Sequence, residues 1–413
     1  MRFDLYLQAE FQEQLDAIVG DMQLWQGQIS PCEGEEALLR KCIQCFSHTT
    51  QREALLVAGV DGSGDFPMLS YADSFVYMSV AQATVYAADF AYGLRELEDP
   101  LGRSLGISWL PEHNERGPVA FEKALERAAG LMSLGWSLMD VIQESDYRQL
   151  KAQETGKKSI GKPGKLFEDL IRPHASDTGN VAIQLRSTAE MGAAFRLLVG
   201  NQPLNYLLMD TTFALPLVTN PKNSLFYEHL KRLCCVKARG QDIGFFTLSK
   251  SHGLPGMEFL ERIAAELQGL VKGDVAEHWY LRVPEPDQDQ WALSMAQGRR
   301  LPPPGAVSYL VRFHKNTPVM RLDMDRAYWK TFIKGSNDSE TQRNESRVFE
   351  DLDYASHDQR AFGYPYPIKA AHDRASLTQT ERLTYRKQLI AKAIAGGMNP
   401  NLFRDPSMAT GHR

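Results

Sequence analysis

Asp61 and Asp210 each close a run of hydrophobic residues, Leu55-Leu-Val-Ala-Gly-Val60 in the first case and Leu204-Asn-Tyr-Leu-Leu-Met209 in the second. Apolar runs of that length, bounded by turn formers, read as buried strands. A carboxylate at the end of a buried strand is unfavourable unless something offsets its charge, and a divalent cation is the obvious partner. Glycines on either side of Asp61 let backbone or substrate come close and permit a tight turn. For Asp61 taken alone, a hairpin whose acid caps the turn reads equally well. Glu190 lies between the two acids in sequence, beside an apolar helical face made by Ala189, Ala193 and Leu197. A helical glutamate is most often solvated. Two strand-end acids and a helical glutamate nevertheless form an oxygen-rich set of the kind that binds Mg²⁺ or Mn²⁺.

Other chemistries find less support. Asp61-Gly-Ser-Gly-Asp65 imitates the start of a calcium loop, but its twelfth position is Ala72, where a bidentate Glu is required. Gly156-Lys-Lys-Ser-Ile-Gly-Lys-Pro-Gly-Lys165 is not a phosphate-binding P-loop, because Pro163 breaks the register and no buried strand precedes it. No G-x-S-x-G marks a serine hydrolase. Cys42-x-x-Cys45 with Cys32 nearby lacks a second ligand pair at zinc spacing, and five cysteines are too few for a disulfide framework in 413 residues. Such cysteine usage suits a reducing, cytoplasmic compartment. The net charge of −5 announces no global basic field, so any nucleic-acid contact must be local. No stretch has the roughly 20 apolar residues of a membrane span.

The elements that must position these residues follow from periodicity. Residues 5–30 place Leu5, Phe11, Leu15, Ile18 and Met22 at helical spacing, and residues 35–50 read as a second helical segment. Ser74–Val80 and Thr84–Ala87 read as successive strands of a meander after Asp61. From Pro118 to Gln149, Phe121, Leu125, Ala128, Leu131, Leu134, Leu138 and Val141 recur as in one or two amphipathic helices. Lys151 to Lys165 holds five lysines and reads as a mobile basic loop. Phe226–Leu233 and Met257–Val271 are helical, and Ile243–Ser249 is a strand ending in Lys250. Residues 283–305 form a loop able to close over a site. Val307–Arg312 and Pro318–Asp323 read as paired strands, with Arg312 and Arg321 among the cations available to a substrate backbone. Within the polar 335–360 segment Arg347–Leu352 reads as a short helix. A helix reaches about Ala395, and Pro400–Arg413 reads as a mobile tail.

The strand end Val60-Asp61-Gly62-Ser63, helical Glu190, second strand-end Asp210, Ser249-Lys250, and Gly363-Tyr364-Pro-Tyr-Pro with His372 eight residues after Tyr364 together resemble the NurA nuclease family. The resemblance runs from about Leu55 to Leu377. It implies a ribonuclease H-like α/β core, a mixed sheet with flanking helices. It also implies a metal-dependent site of Asp61, Glu190, Asp210, Tyr364 and His372, with two Mn²⁺ or Mg²⁺ ions held by Asp61, Glu190, Asp210 and His372. Lys250, Arg312 and Arg321 would bind substrate. The implied activity is DNA exonuclease and single-strand endonuclease action by a two-metal mechanism, in DNA end processing or antiviral defence. The implied partners are DNA, a hexameric HerA-type ATPase and a second copy of the chain.

The stretch between Asp61 and Glu190 is much longer than in the family pattern, so 115–180 reads as an insertion. The organisation expected is then an N-terminal helical arm (1–50), a nuclease core (51–114 and 181–395), the insertion, and a tail (396–413). Docking surfaces for the ATPase are expected on residues 5–30 and on the helices near 118–149. A non-catalytic clamp that loads a translocase onto DNA is the competing reading; it predicts eroded carboxylates, and all are present.

Overall fold

The computed structural model describes residues 5–26, 34–64, 67–89, 93–97, 104–112, 117–154, 156, 170–214, 223–271, 273–287 and 291–405. Among them α1 (Leu5–Gln26) and α2 (Glu35–Cys42) precede β1 (Ile43–Cys45), β2 (Leu56–Ser63), β3 (Pro67–Tyr71), β4 (Ser74–Asp89), β5 (Gly93–Glu96) and β6 (Ser104–Pro111). Helices α3 (Gly117–Ala129), α4 (Leu138–Glu144), α5 (Tyr147–Glu154) and α6 (Thr178–Val199) lead into β7 (Tyr206–Met209), α7 (Phe226–Gly240), β8 (Gly244–Ser249) and α8 (Met257–Leu267). Then come β9 (Trp279–Arg282), α9 (Ser294–Gln297), β10 (Ala306–Arg312), β11 (Met320–Asp325), α10 (Arg326–Tyr328) and α11 (Asp338–Ser356). The small ribbon β12 (His357–Asp358) and β13 (Ala361–Phe362), then α12 (Tyr366–Ala375), α13 (Gln379–Ala395) and β14 (Phe403–Arg404) follow.

The architecture is a mixed α/β one. Twelve described strands form one sheet whose main path is β1-β9-β10-β11-β8-β7-β2-β4-β3-β14, with β5 and β6 also paired to β4. At its centre β2, β7 and β8 are parallel. Side-chain alternation along these strands separates two cores. Ala58, Val60, Leu207, Met209 and Phe245 face the layer of α3, α6 and α7. Val57, Tyr206, Leu208, Phe246 and Leu248 face the layer of α11 and α12. No helix among the described residues is long and apolar enough to cross a membrane.

Several elements differ from the sequence reading for identifiable reasons. Residues 35–50 do not stay helical: after Cys42 the chain becomes β1 and pairs with β9 at the sheet edge. The meander after Asp61 contains one strand of 16 residues, β4, where two were expected. The amphipathic stretch from Pro118 is broken at Gly130 and Gly135, both in left-handed backbone (φ 67° and 70°). Its apolar face does not wait for a partner, because Phe121, Leu125, Ala128, Leu131, Leu138 and Val141 are buried in the main core. At Gly192 of α6 an added Cβ would strike the backbone of Ala129, so α3 and α6 meet without intervening side chains. The expected docking surface near 118–149 is thus covered by the chain itself. The expected tail also begins in order, since Phe403 and Arg404 pair with Tyr71 and Ser70. Most of the basic loop, residues 155 and 157–165, lies outside the described residues, as do 27–30 and 406–413.

Candidate functional site

The parallel register of β2 and β7 sets Val60 opposite Met209, so Asp61 and Asp210 are the next residues on neighbouring strands. β7 ends at Met209, whereas β2 continues to Ser63 against β4. Asp61 therefore lies inside its strand but has lost its neighbour on the β7 side. Alternation places Asp61 with Val57, and Asp210 with Tyr206 and Leu208, toward the α12 layer. On the third parallel strand Lys250 follows β8 on the same face, in line with Phe246 and Leu248. Two acids and a cation thus converge on one face, Asp210 and Lys250 just past the ends of β7 and β8 and Asp61 within β2 beside them.

Helix α12 covers them. Pro365 precedes it and Pro367 lies in its first turn, where a missing N–H leaves no intrahelical hydrogen bond unmade. The helix is seated closely: a Cβ at Gly59 would strike the backbone of Pro367 and Ile368. Thr84 Oγ1 donates to the Pro367 carbonyl at 2.8 Å, and Ser63 Oγ donates to that of Ala375 at 2.7 Å. This seating brings His372 Nδ1 to 2.7 Å from Asp61 Oδ2, while Asp61 Oδ1 accepts from the Gly62 N–H at 2.7 Å. The Asp61 side chain is largely covered and the His372 ring is open to solvent.

Tyr364, buried just before α12, has its ring under Lys250, whose Nζ lies 3.5 Å from the ring centroid. Its hydroxyl is buried without a close hydrogen-bond partner among the described residues, yet lies near enough to Asp210 for each to act on the other's proton affinity. Burial raises the Asp210 carboxyl above the usual range even though the residue keeps an open face to solvent. Lys250 opposes that rise, and the Asp61 charge adds to it. Burial and the Asp210 charge push the Tyr364 hydroxyl well upward, so it stays protonated.

Glu190 approaches from the other layer. It is buried on α6, 3.4 Å from Arg186 Nε, beneath Gly62, where an added Cβ would sit 2.7 Å from Glu190 Cγ. The β2 backbone separates it from Asp61, and the absent side chain at Gly62 is what lets its carboxylate come so near the strand. Asp61, Asp210, Tyr364, His372 and Lys250 are thus gathered on one face, with Glu190 behind.

Arg312 and Arg321, expected to hold a substrate backbone, face inward instead. Arg312 is buried, pairs with Glu261 at 2.8 Å, and donates to the Lys315 carbonyl at 3.1 Å. Arg321 makes a two-point pair with Asp323, at 2.9 and 2.6 Å. Asp323 is fully buried and also accepts from Ser308 Oγ at 2.5 Å and the Phe213 N–H at 3.0 Å. Buried Lys231 donates to the Thr212 carbonyl at 3.0 Å. Asp323 and Lys231 therefore fix the loop that follows Asp210, a positioning role the sequence reading missed. Arg321-x-Asp323, two like-facing residues of a strand, was its one local sign.

The donor set suits a hard divalent cation: carboxylates from adjacent strand ends, an imidazole, and an acid whose charge is disfavoured until something neutralises it. A group of potential ligand atoms that all lie within 4.8 Å of one another is found elsewhere, on His48, His278, Asp353 and His357.

No protein-family model matches the chain, and no curated protein does. Among solved structures, the crystal structure of the NurA nuclease from Sulfolobus solfataricus superimposes with a TM-score of 0.50 at 12% identity, covering 96% of this chain and 99% of that one. Two further NurA crystal structures, one of them with manganese, align at TM-scores of 0.39 and 0.36 and identities of 10% and 11%. They cover 95% and 94% of this chain and 99% and 98% of theirs. Along nearly its whole length, the chain has a NurA-like fold.

Proposed function

We propose that this chain is a metal-dependent deoxyribonuclease of the NurA type, acting as an exonuclease and single-strand endonuclease in DNA end processing or antiviral defence. The observation that carries the reading is the convergence of Asp61 and Asp210 on the face that α12 covers with Tyr364 and His372. The run β6-β4-β2-β7-β8, antiparallel as far as β2 and then parallel, supports a ribonuclease H-like core.

Asp61 and Asp210 would supply oxygen ligands, His372 would add an imidazole beside Asp61, and Glu190, which lies across β2 at Gly62, would supply a further carboxylate. Two divalent ions, Mn²⁺ or Mg²⁺, supply when bound the activated water and the stabilisation of the leaving oxygen that hydrolysis of an anionic diester needs. His372 fixes the orientation of the Asp61 carboxylate through their contact. The Tyr364 hydroxyl stays protonated beside the Asp210 charge and can donate a hydrogen bond within the site. Lys250, exposed above the Tyr364 ring, meets the phosphate backbone.

A net charge of −5 gives a weak electrostatic hold on DNA, so a hexameric HerA-type ATPase would keep the strand fed to a homodimer of this chain. Phe11, Ile18, Met22 and Leu24 of α1, each more than half exposed, support placing the docking surface there.

The test is an assay of purified chain on labelled linear, circular and single-stranded DNA with Mn²⁺, Mg²⁺ or EDTA. The reading expects cleavage that EDTA abolishes. Metal-independent cleavage, or none on any DNA with or without the ATPase, contradicts it.

A further inference from the structure

Three histidines and one aspartate from three distant parts of the chain meet at a second place. His48 follows β1, His278 immediately precedes β9, Asp353 lies in the last turns of α11, and His357 caps that helix. One potential ligand atom from each lies within 4.8 Å of all the others. The separations are short: His48 Nδ1 to Asp353 Oδ2 is 2.9 Å, His357 Nδ1 to Asp353 Oδ1 is 3.0 Å, and His278 Nε2 to Asp353 Oδ1 is 3.4 Å. Ligands about 2.0–2.1 Å from a tetrahedral ion stand roughly 3.3 Å apart, so the histidine–carboxylate separations suit such an ion.

The hydrogen bonding of the cluster is incomplete. Asp353 is fully buried. Its Oδ2 accepts from the Thr49 N–H at 2.9 Å, whereas Oδ1, though 3.0 Å from His357 Nδ1, makes no well-formed hydrogen bond because that nitrogen is directed to the Asp353 carbonyl at 2.9 Å, and buried His278 Nε2 makes none either. His278 Nε2, 3.4 Å from that oxygen, leaves both atoms with unused hydrogen-bonding capacity. A cation between them satisfies both. The protein also strains its backbone to present this nitrogen: His278 sits at φ 58°, a left-handed conformation unfavourable for a residue with a side chain. The Phe46 N–H donates to the His278 carbonyl at 2.9 Å, and the Phe46 ring meets the imidazole edge-on at 5.9 Å.

We propose that His48, His278, Asp353 and His357 bind one divalent transition-metal ion of the zinc type in a closed, structural site. Three imidazole nitrogens and one carboxylate oxygen suit Zn²⁺ better than Mg²⁺, which takes oxygen ligands almost alone. Four protein ligands leave no open position for a substrate water, which separates this site from the Asp61 face. Its role is to clamp the segment after β1 and the approach to β9 onto the end of α11. There the Ser356 carbonyl accepts from the Gly363 N–H at 2.5 Å, next to Tyr364, so the clamp steadies the connection that delivers α12. The proposal is independent of the nuclease reading.

The experiment uses full-length protein carrying Asp61→Asn and Asp210→Asn, so that the other cation site is disabled. After chelator treatment, Zn²⁺ and Co²⁺ are titrated and read by bound-metal content, visible absorption and melting temperature. The expected result is one ion per chain, the intense absorption of four-coordinate Co²⁺, and a melting temperature that rises with added metal. His48→Gln, at a partly exposed position, and His278→Gln should each weaken binding by about tenfold or more. Asp353→Asn should abolish binding; should it not fold, His48→Gln decides. The proposal is overturned by a folded chain that binds no Co²⁺ in four-coordinate form, or by an affinity that neither histidine replacement changes.

Discussion

His372 Nδ1 lies 2.7 Å from Asp61 Oδ2, joining α12 to the central strand β2 across most of the length of the chain. The contact gives His372 a defined task, to hold one carboxylate orientation, while its ring stays open to solvent. His372→Ala should therefore leave the melting temperature nearly unchanged and lower DNA cleavage by about ten- to a hundredfold, the usual effect of removing a partner that orients a metal ligand. Kinetics with the metal concentration varied would check this, because added Mn²⁺ should recover part of the loss. Wild-type activity in the variant would remove His372 from the site.

The raised Asp210 carboxyl has a consequence for stability. A folded-state pKa above the unfolded value of about 3.9 means that the folded chain binds this proton more tightly than the unfolded one. That contribution is fully present below the unfolded value and is lost as pH rises through the folded value, so ionised Asp210 opposes folding at neutral pH. Asp210→Asn should raise the melting temperature of metal-free protein slightly at pH 7 to 8, by about 1–2 °C. The gain should vanish below about pH 4. Calorimetry at three pH values would show it, and a drop at neutral pH would contradict the electrostatics described.

Gly59 tests the seating of α12 without touching any ligand. Because an added Cβ meets the backbone of Pro367 and Ile368, which cannot swing aside as a side chain can, Gly59→Ala must push the helix off the sheet. The expected loss is about 1–3 kcal/mol of unfolding free energy or more, with reduced cleavage as His372 leaves Asp61. Denaturant titration measures the first effect, and a neutral outcome would mean that α12 is not held as described.

Arg321→Ala separates a structural cation from a substrate-binding one. Removing the guanidinium strands the fully buried Asp323, which should destabilise the protein by about 3–5 kcal/mol. Loss of DNA affinity at unchanged stability would restore the substrate-binding role that the sequence suggested.

Much of the candidate site was legible because its acids end hydrophobic runs: burial by strand alternation then dictates that Asp61 and Asp210 share a face. What periodicity could not reveal is tertiary. Gln82 and Thr84 look like a break in β4, yet the Gln82 amide bonds to the Ala83 carbonyl and Thr84 to that of Pro367, so the strand runs on. The polar composition of 335–360 hides the 19-residue α11, whose exposed face is charged and whose Asn337 cap accepts from the Glu340 N–H at 2.9 Å. The apolar stripe over 118–149 looked available to a partner because its cover, α6 and α7, comes later in the chain. Arg312 and Arg321 read as free cations because Glu261 and Asp323 are paired with them only in space or across a strand face. The histidine cluster left one local trace, Asp353 and His357 four residues apart on a helix, since His48 and His278 reach it from distant segments.

The most direct measurement of the central claim is single-turnover cleavage of labelled linear DNA in Mn²⁺ by the wild type, Asp61→Asn and Asp210→Asn, each with its unfolding curve. Each substitution keeps the side-chain shape and removes a charged oxygen. The account predicts folded variants whose cleavage rate falls by about a thousandfold or more, the scale of several kcal/mol of lost charge stabilisation. Wild-type rates in either folded variant would contradict it.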